Sequence, residues 1–197
     1  SNSERSIIYL NYLISKNIYP DLIVHADKNI KLNILKKLKN IKIKVTQNVN
    51  SHISEKIIKG SKINNFIYAC GKGIKITRKE ILKKNIFHAH PGKLPLFKGS
   101  AVFFYSILLN KNIHISVIKL NKNIDEGKIF FIKKINLKNI NFSEIDKQLD
   151  LERIKCIIKT FNTSKIQIRK KYKKNTESYY IPHPIIRKLA EFKFKKI

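Results

Sequence analysis

Short strand-like segments alternate along this chain with segments of helical pattern, and this alternation constrains the fold more than any other feature. Leu22–His25 and Ile86–His90 are examples of the strand-like runs, which are short and rich in apolar residues. The predicted strands cover residues 22–25, 41–45, 65–69, 86–90, 113–119 and 128–135, and the predicted helices cover 4–16, 29–39, 51–59, 77–83, 99–109 and 143–161. The alternation predicts an α/β fold with a mostly parallel, doubly wound (Rossmann-like) sheet and helices on both faces. Ligands of such sheets bind beyond the carboxyl ends of the strands.

The length of 197 residues suits a single domain. The sequence shows no internal repeat or linker, so we expect residues 1–160 to form the main domain and residues 161–197 to pack on it as a C-terminal extension. No apolar run approaches the ~18–20 residues that a membrane-spanning helix needs, and the first residues lack the layout of a signal peptide. The two cysteines, Cys70 and Cys156, are too few for a disulfide framework. Together these features predict a cytoplasmic protein.

The formal net charge of +29 raises the question of a nucleic-acid partner. The basic residues are 37 Lys and only 5 Arg, and they are spread along the whole chain. Because phosphate and base recognition favours the planar donor fork of Arg, this composition argues against a specific nucleic-acid site. We therefore expect no specific nucleic-acid partner and no membrane partner. The positive field can still concentrate an anionic substrate near the protein.

Five of the six glycines fall in three short segments, each of which follows a predicted strand. The segments contain Gly71 and Gly73, then Gly92 and Gly99, and finally Gly127. In a chain this poor in glycine, such clustering indicates a left-handed backbone or a close approach of the backbone to a ligand. The three segments are therefore the candidate site.

The central segment carries two imidazoles. Because His88 and His90 are two residues apart on a predicted strand, their side chains point to the same face. The sequence Pro91-Gly92-Lys93-Leu94-Pro95 then predicts a rigid loop. The third segment, NIDEG at residues 123–127, supplies the carboxylate of Asp125 in a turn. A histidine and an aspartate brought together can polarise a carbonyl group and move a proton during attack by an amine.

Together, the sequence HAHPGKLPLFKGS at residues 88–100 and the sequence NIDEGKI at residues 123–129 resemble the formyltransferase family that uses 10-formyltetrahydrofolate. That family carries an Asn-x-His-x-x-x-Leu-Pro segment followed by a Gly, and then an Asp-x-Gly turn. The order and the spacing are the same here, and the resemblance covers about residues 3–160. It implies a small formyltransferase of one-carbon metabolism, which transfers a formyl group from 10-formyltetrahydrofolate to a primary amine of a small substrate.

The resemblance also implies roles for individual residues. His90 falls on the family's catalytic histidine, which stabilises charge on the formyl oxygen, and Asp125 falls on the catalytic aspartate, which assists proton removal from the amine. His88 stands where the family has a catalytic asparagine, and a ring N–H could replace the amide donor. The residues that fall where the family holds the pterin ring are Gly71, Lys72, Gly73, Ile74, Asn121, Asn123 and Ile124. No metal site is implied.

Several alternatives stay open from the sequence. The family's first strand has no counterpart here, so we expect it upstream of Ser1, and the residues after 160 cannot form the barrel of methionyl-tRNA formyltransferases. The acceptor is then a small amine, of which a nucleotide-linked amino sugar is the favoured example, and a homodimer is possible. A formyl-folate hydrolase and a basic binding protein that keeps the fold without activity are the other two hypotheses. His183 fits a packed turn better than a functional site, Glu126 fits a solvated neighbour of Asp125, and Cys70 fits a small buried residue.

Overall fold

A computed structural model of the protein describes residues 3–26, 38, 40–70, 73–110, 112–136, 140–162 and 178–196. The helices in these residues are α1 (Glu4–Ser15), α2 (His52–Gly60), α3 (Lys79–Lys83), α4 (Val102–Asn110), α5 (Ile145–Asn162) and α6 (Pro184–Phe194). The strands are β1 (Leu22–Ala26), β2 (Lys42–Thr46), β3 (Asn65–Ile67), β4 (Asn85–His90), β5 (Lys98–Gly99), β6 (Ile113–Lys119), β7 (Lys128–Ile135) and β8 (Ser178–Tyr179). The predicted α/β class is confirmed. None of the helices described is both long and apolar enough to cross a membrane.

The chain divides into two compact units, Ser1–Ile86 and Phe87–Ile197, and the division falls within β4. The predicted boundary at residue 160 stays a prediction. In the first unit, β1 and β2 pair in parallel, as the alternation of elements predicts. The side chain of Ser3 caps α1 by accepting from the Ser6 N–H, and apolar residues of α1 pack with those of the two strands around Leu38. Most of the helix predicted at residues 29–39 lies outside the described residues.

Strand β3 lies beside the start of β4 in the first unit. The backbone N–H of Asn85 donates to the carbonyl oxygen of Asn64 at 2.9 Å, and the side-chain amide of Asn85 donates to that of Asn65 at 2.9 Å. Strand β4 then continues into the second unit with its two histidines.

In the second unit, β4, β6 and β7 form consecutive antiparallel pairs. His90 is opposite Ser116 on β6, and Ser116 is in turn opposite Ile132 on β7. Helix α5 packs against β6 and β7, and its Ile154 and Ile157 are fully buried. These antiparallel pairs are a local exception to the mostly parallel sheet that the alternation predicts, and the short connection between β6 and β7 contains no crossover helix that a parallel pair would need. The antiparallel pairing determines how the 120–127 connection reaches the histidines.

The C-terminal residues pack within the second unit. Strand β8 pairs in parallel with β5, and α6 packs against α4, where Lys193 Nζ donates to the carbonyl oxygen of Leu108. His183 caps α6, because its Nδ1 accepts from the Ile185 N–H at 3.3 Å. Strands β5 and β8 are two residues long and were not predicted, since so short a strand has no detectable period.

Candidate functional site

His88, His90 and Asp125 lie together in the second unit. One nitrogen of each ring and one carboxylate oxygen are all within 4.8 Å of one another. The strand geometry of β4 turns both imidazoles to the same face, as predicted. Lys119, the last residue of β6, is opposite Phe87, three residues before His90. The 120–127 connection must therefore fold back along β4 to bring Asp125 to His90.

The His90 ring is almost completely enclosed, with 2% of the residue exposed. Its Nε2 donates to the carbonyl oxygen of Phe97 at 2.6 Å, and its Nδ1 lies 3.2 Å from Oδ1 of Asp125. A carbonyl oxygen and a carboxylate can only accept hydrogen bonds. Either the ring carries both of its protons or Asp125 carries one, and in both forms a proton lies between Nδ1 and the carboxylate. The pair is therefore a buried proton-holding unit.

Its own backbone conformation and a backbone hydrogen bond from Gly99 hold Asp125 in this position. Its own φ is 54°, a left-handed conformation that Asp tolerates better than most residues, and its Oδ2 accepts from the Gly99 N–H at 2.8 Å. Burial raises the pKa of Asp125, but the hydrogen bond and the charge of His90, together with the Gly99 N–H, lower it by more. The net result is a pKa below the usual range, so the carboxylate stays charged near neutral pH.

His88 differs from His90 in its surroundings, because it is half-buried and His90 is buried. Its charge acts on Asp125 and contributes to the lowered pKa of that carboxyl group. Of the two histidines, His88 is therefore the more exposed, although its Nδ1 is enclosed.

Glu126 has partners that the sequence did not predict. Its side chain is 37% exposed, as a solvated neighbour of Asp125 would be, and its Oε1 accepts from Lys98 Nζ at 2.9 Å while its Oε2 accepts from the side-chain amide of Asn123 at 2.9 Å. The hydrogen bond from Lys98 is the main cause of its lowered pKa. Lys98 itself is only 7% exposed. Its place beside Gly99 in the motif was the one available signal, and a lysine in a very lysine-rich chain gave no reason to single it out.

Ser116 is a second residue that sequence reasoning missed. It is fully buried on β6, donates to the carbonyl oxygen of Gly92 at 2.7 Å and accepts from the Leu94 N–H at 3.1 Å. These two bonds fix the loop after β4 to the neighbouring strand. Because the Phe97 carbonyl that contacts His90 lies at the end of this loop, Ser116 supports the position of the His90 ring.

Comparisons with known proteins identify the fold. No protein-family model matches the sequence, and no curated protein matches it. Among solved structures, a sugar N-formyltransferase from a Shewanella species is similar with a TM-score of 0.61 and 15% identity, over 98% of this chain and 85% of that one. The methionyl-tRNA formyltransferase of Clostridium thermocellum is similar with a TM-score of 0.60 and 18% identity, over 93% of this chain and 71% of that one. The chain has a formyltransferase-like fold.

A third similar structure carries ligands. It is an N-formyltransferase from Helicobacter canadensis in complex with folinic acid and dTDP-3-aminofucose, with a TM-score of 0.58 and 17% identity, over 90% of this chain and 67% of that one. At such identities the likeness concerns the fold alone. The roles of individual residues in this formyltransferase-like chain must be argued from its own geometry.

Two motif glycines of the formyltransferase-like chain are required by its own backbone. A Cβ on Gly99, whose φ is +107°, would lie 2.0 Å from the carbonyl oxygen of Tyr179, and a Cβ on Gly127 would lie 1.8 Å from that of Lys119. Gly99 has the left-handed φ that the glycine clustering predicts. At both positions the approaching group is this chain's own backbone, and the predicted approach to a ligand stays a prediction. A Cβ on Gly73, in contrast, would meet nothing within 4 Å.

The residues predicted to hold the pterin ring fall in both units. In the first unit, Gly71 and Lys72 lie outside the described residues. Ile74 has an exposed side chain, and its carbonyl oxygen accepts from the Tyr68 hydroxyl at 2.9 Å. The side chain of Tyr68, which follows β3 directly, thus holds this segment. A contact between the segment and a folate stays a prediction.

In the second unit, the predicted pterin residues are on the 120–127 connection. The Asn121 side chain donates to the Glu126 carbonyl oxygen and accepts from the Asn123 N–H, so both asparagines support the loop itself. Ile124 is 57% exposed at the tip. A contact between this exposed apolar side chain and a pterin stays a prediction.

Proposed function

We propose that this protein transfers a formyl group from 10-formyltetrahydrofolate to a primary amine of a small substrate. The observation that carries the proposal is the buried His90–Asp125 pair beside the half-buried His88, in a chain with a formyltransferase-like fold. In this reaction a bond forms between the amine nitrogen and the formyl carbon, the bond to the folate nitrogen breaks, and a proton moves from the amine to that folate nitrogen. The bound folate supplies the formyl carbon.

The geometry supports a division of the proposed work among the three side chains. Asp125 is charged near neutral pH, so it can accept the amine proton directly or through the proton that it shares with His90. Both ring nitrogens of His90 already contact protein acceptors, so donation from His90 to the formyl oxygen requires exchange of its bond to Phe97. His88 is half-buried, so of the two histidines it is the more exposed to an incoming substrate. We therefore assign His88 as the first donor to the formyl oxygen and His90 as the group that holds the proton.

The substrate proposed is an amine linked to a nucleotide through a sugar. The Helicobacter structure with folinic acid and dTDP-3-aminofucose supports this choice for a protein of the same fold. The net charge of +29 also favours an anionic substrate, because a positive field raises the local concentration of phosphate-bearing molecules. The same charge would attract the carboxylates of a polyglutamylated folate.

The test is a formyl-transfer assay with 10-formyltetrahydrofolate against a panel of primary amines, including nucleotide-linked amino sugars, amino acids and purine-precursor amines. The proposal expects equal amounts of formylated amine and tetrahydrofolate with at least one acceptor. Release of formate without any formylated amine would instead support a formyl-folate hydrolase. No consumption of the donor with any acceptor would support a binding protein that keeps the fold without the activity.

A further inference from the structure

His88, His90 and Asp125 together form a set of side chains that can ligate a metal ion. Two imidazoles and one carboxylate are the donor types that bind Zn²⁺ and similar ions in proteins, and three such ligands leave a fourth coordination position for water or a substrate oxygen. Within the described residues, these three are the set of histidine, cysteine, aspartate and glutamate side chains that could hold a metal ion. The set depends on His88, the residue at which this chain departs from the formyltransferase motif.

The spacing of the buried pair matches that of two ligands on one ion. With Zn–N and Zn–O distances of about 2.0–2.1 Å, neighbouring ligand atoms of a tetrahedral site are about 3.3 Å apart. His90 Nδ1 and Asp125 Oδ1 are 3.2 Å apart. The ligand atom of His88 is within 4.8 Å of both, so ligation requires a shift of its half-buried ring by at most about 1.5 Å.

The surrounding hydrogen bonds are those that orient metal ligands. A metal-bound histidine usually donates its second ring N–H to a carbonyl or carboxylate oxygen, which leaves the other nitrogen unprotonated for the metal. His90 Nε2 donates to the Phe97 carbonyl oxygen at 2.6 Å, and this directs Nδ1 to Asp125. The second oxygen of Asp125 accepts from the Gly99 N–H, which fixes the carboxylate.

We propose that His88, His90 and Asp125 bind one divalent transition-metal ion of the Zn²⁺ type, which replaces the proton between His90 and Asp125. This site does not depend on the proposed formyl transfer. The net charge of +29 opposes the approach of any cation, and physiological salt screens it beyond a Debye length of about 8 Å. Glu126 does not add negative charge to the site, because its carboxylate is paired with Lys98.

The experiment is a titration of the metal-free full chain with Zn²⁺, followed by calorimetry, in physiological salt and without folate or amine. Co²⁺ serves as a second probe, because its visible absorption reports nitrogen and oxygen ligands bound directly to the ion. The proposal expects one saturable site per chain. His88→Asn, which restores the family's residue, should weaken binding by at least 10- to 100-fold, the loss known for residues that merely support metal ligands. Asp125→Asn should do the same.

His52→Ala is the matched control. It removes an imidazole that is 81% exposed in the first unit, and it should leave the affinity and the stoichiometry unchanged. Circular dichroism checks that each variant is folded. If Asp125→Asn does not fold, His88→Asn alone decides the result. Absence of saturable binding to the wild type, or wild-type affinity in folded His88→Asn, would overturn the proposal. The formyl-transfer assay on the same metal-free protein tests the proposed function separately.

Discussion

Two sets of ionic contacts in the second unit, the His90–Asp125 pair and the pairing of Glu152 with two lysines, differ in how deeply they are buried. His90 and Asp125 are both buried, and Asp125 adopts a left-handed backbone conformation to make the contact. Glu152 on α5 accepts from Lys133 at 2.6 Å and from Lys155 at 2.7 Å, on a partly exposed surface. Exposed pairs of the second kind add about 0–1 kcal/mol to stability, whereas burying charged groups is costly unless each is paired. The first pair is the one to which we assign chemistry in the proposed function, and the contacts of Glu152 are expected to affect surface stability alone.

Loss of the buried pair should have the largest effect on activity. We expect His90→Ala to lower kcat by roughly 100- to 1,000-fold, because the proton that His90 holds is needed only as the amine attacks. The dissociation constant of the folate should change little, since the proposed contacts to the pterin do not involve His90. Single-turnover rates and equilibrium folate binding separate the two quantities. Wild-type turnover in this variant would remove the catalytic interpretation of the pair.

The half-buried ring beside the pair allows a sharper test. His88→Asn should keep measurable formyl transfer, because an amide N–H can donate to the formyl oxygen as the ring N–H does. His88→Ala has no donor and should lose most of the activity. The comparison of kcat in these two variants checks the assignment, and full activity in both would show that His88 is only a neighbour of the site.

The backbone that supports Asp125 should be intolerant of small changes. Gly127→Ala places a Cβ 1.8 Å from the Lys119 carbonyl oxygen, so the 120–127 connection must shift. We expect a loss in the free energy of unfolding of more than about 1 kcal/mol. Gly73→Ala is the matched control, because nothing lies within 4 Å of its added Cβ. Urea denaturation measures both variants, and equal stability would contradict the close approach.

The exposed pair should give the smallest effect. Glu152→Gln should lower the free energy of unfolding by about 1 kcal/mol or less and leave formyl transfer unchanged. Burial raises the pKa of Glu152, but the hydrogen bonds from Lys133 and Lys155 lower it by more. A carboxyl group with a lowered pKa stabilises the fold above its unfolded pKa of about 4.3, and the contribution is lost as the pH falls through the folded value.

The difference in stability between wild type and Glu152→Gln should therefore be present at neutral pH and disappear in acid. Urea denaturation at both pH values checks this sign. A loss of formyl transfer in a folded Glu152→Gln variant would mean that this surface contact and the site are coupled. We expect no such coupling.

Much of the site was accessible from local sequence. Residues that are two positions apart on a strand always face the same side of the sheet, so His88 and His90 could be placed together without a structure. The motif resemblance then supplied Asp125, and the clustering of glycines correctly indicated the left-handed backbone of Gly99. These inferences succeeded because each depends on backbone geometry over a few neighbouring residues.

Only the tertiary structure decided the contacts between residues that are distant in the chain. Packing between segments 20 or more residues apart gives the antiparallel pairing of β4 with β6 and the return of the 120–127 connection. Packing around a fixed loop places the Phe97 carbonyl oxygen at His90 Nε2. The burial of Lys98 against Glu126 has the same origin, since 28 residues separate them. Sequence alone determined which groups this protein has for its chemistry. The fold determined their partners, and a side chain's protonation and reach depend on those partners.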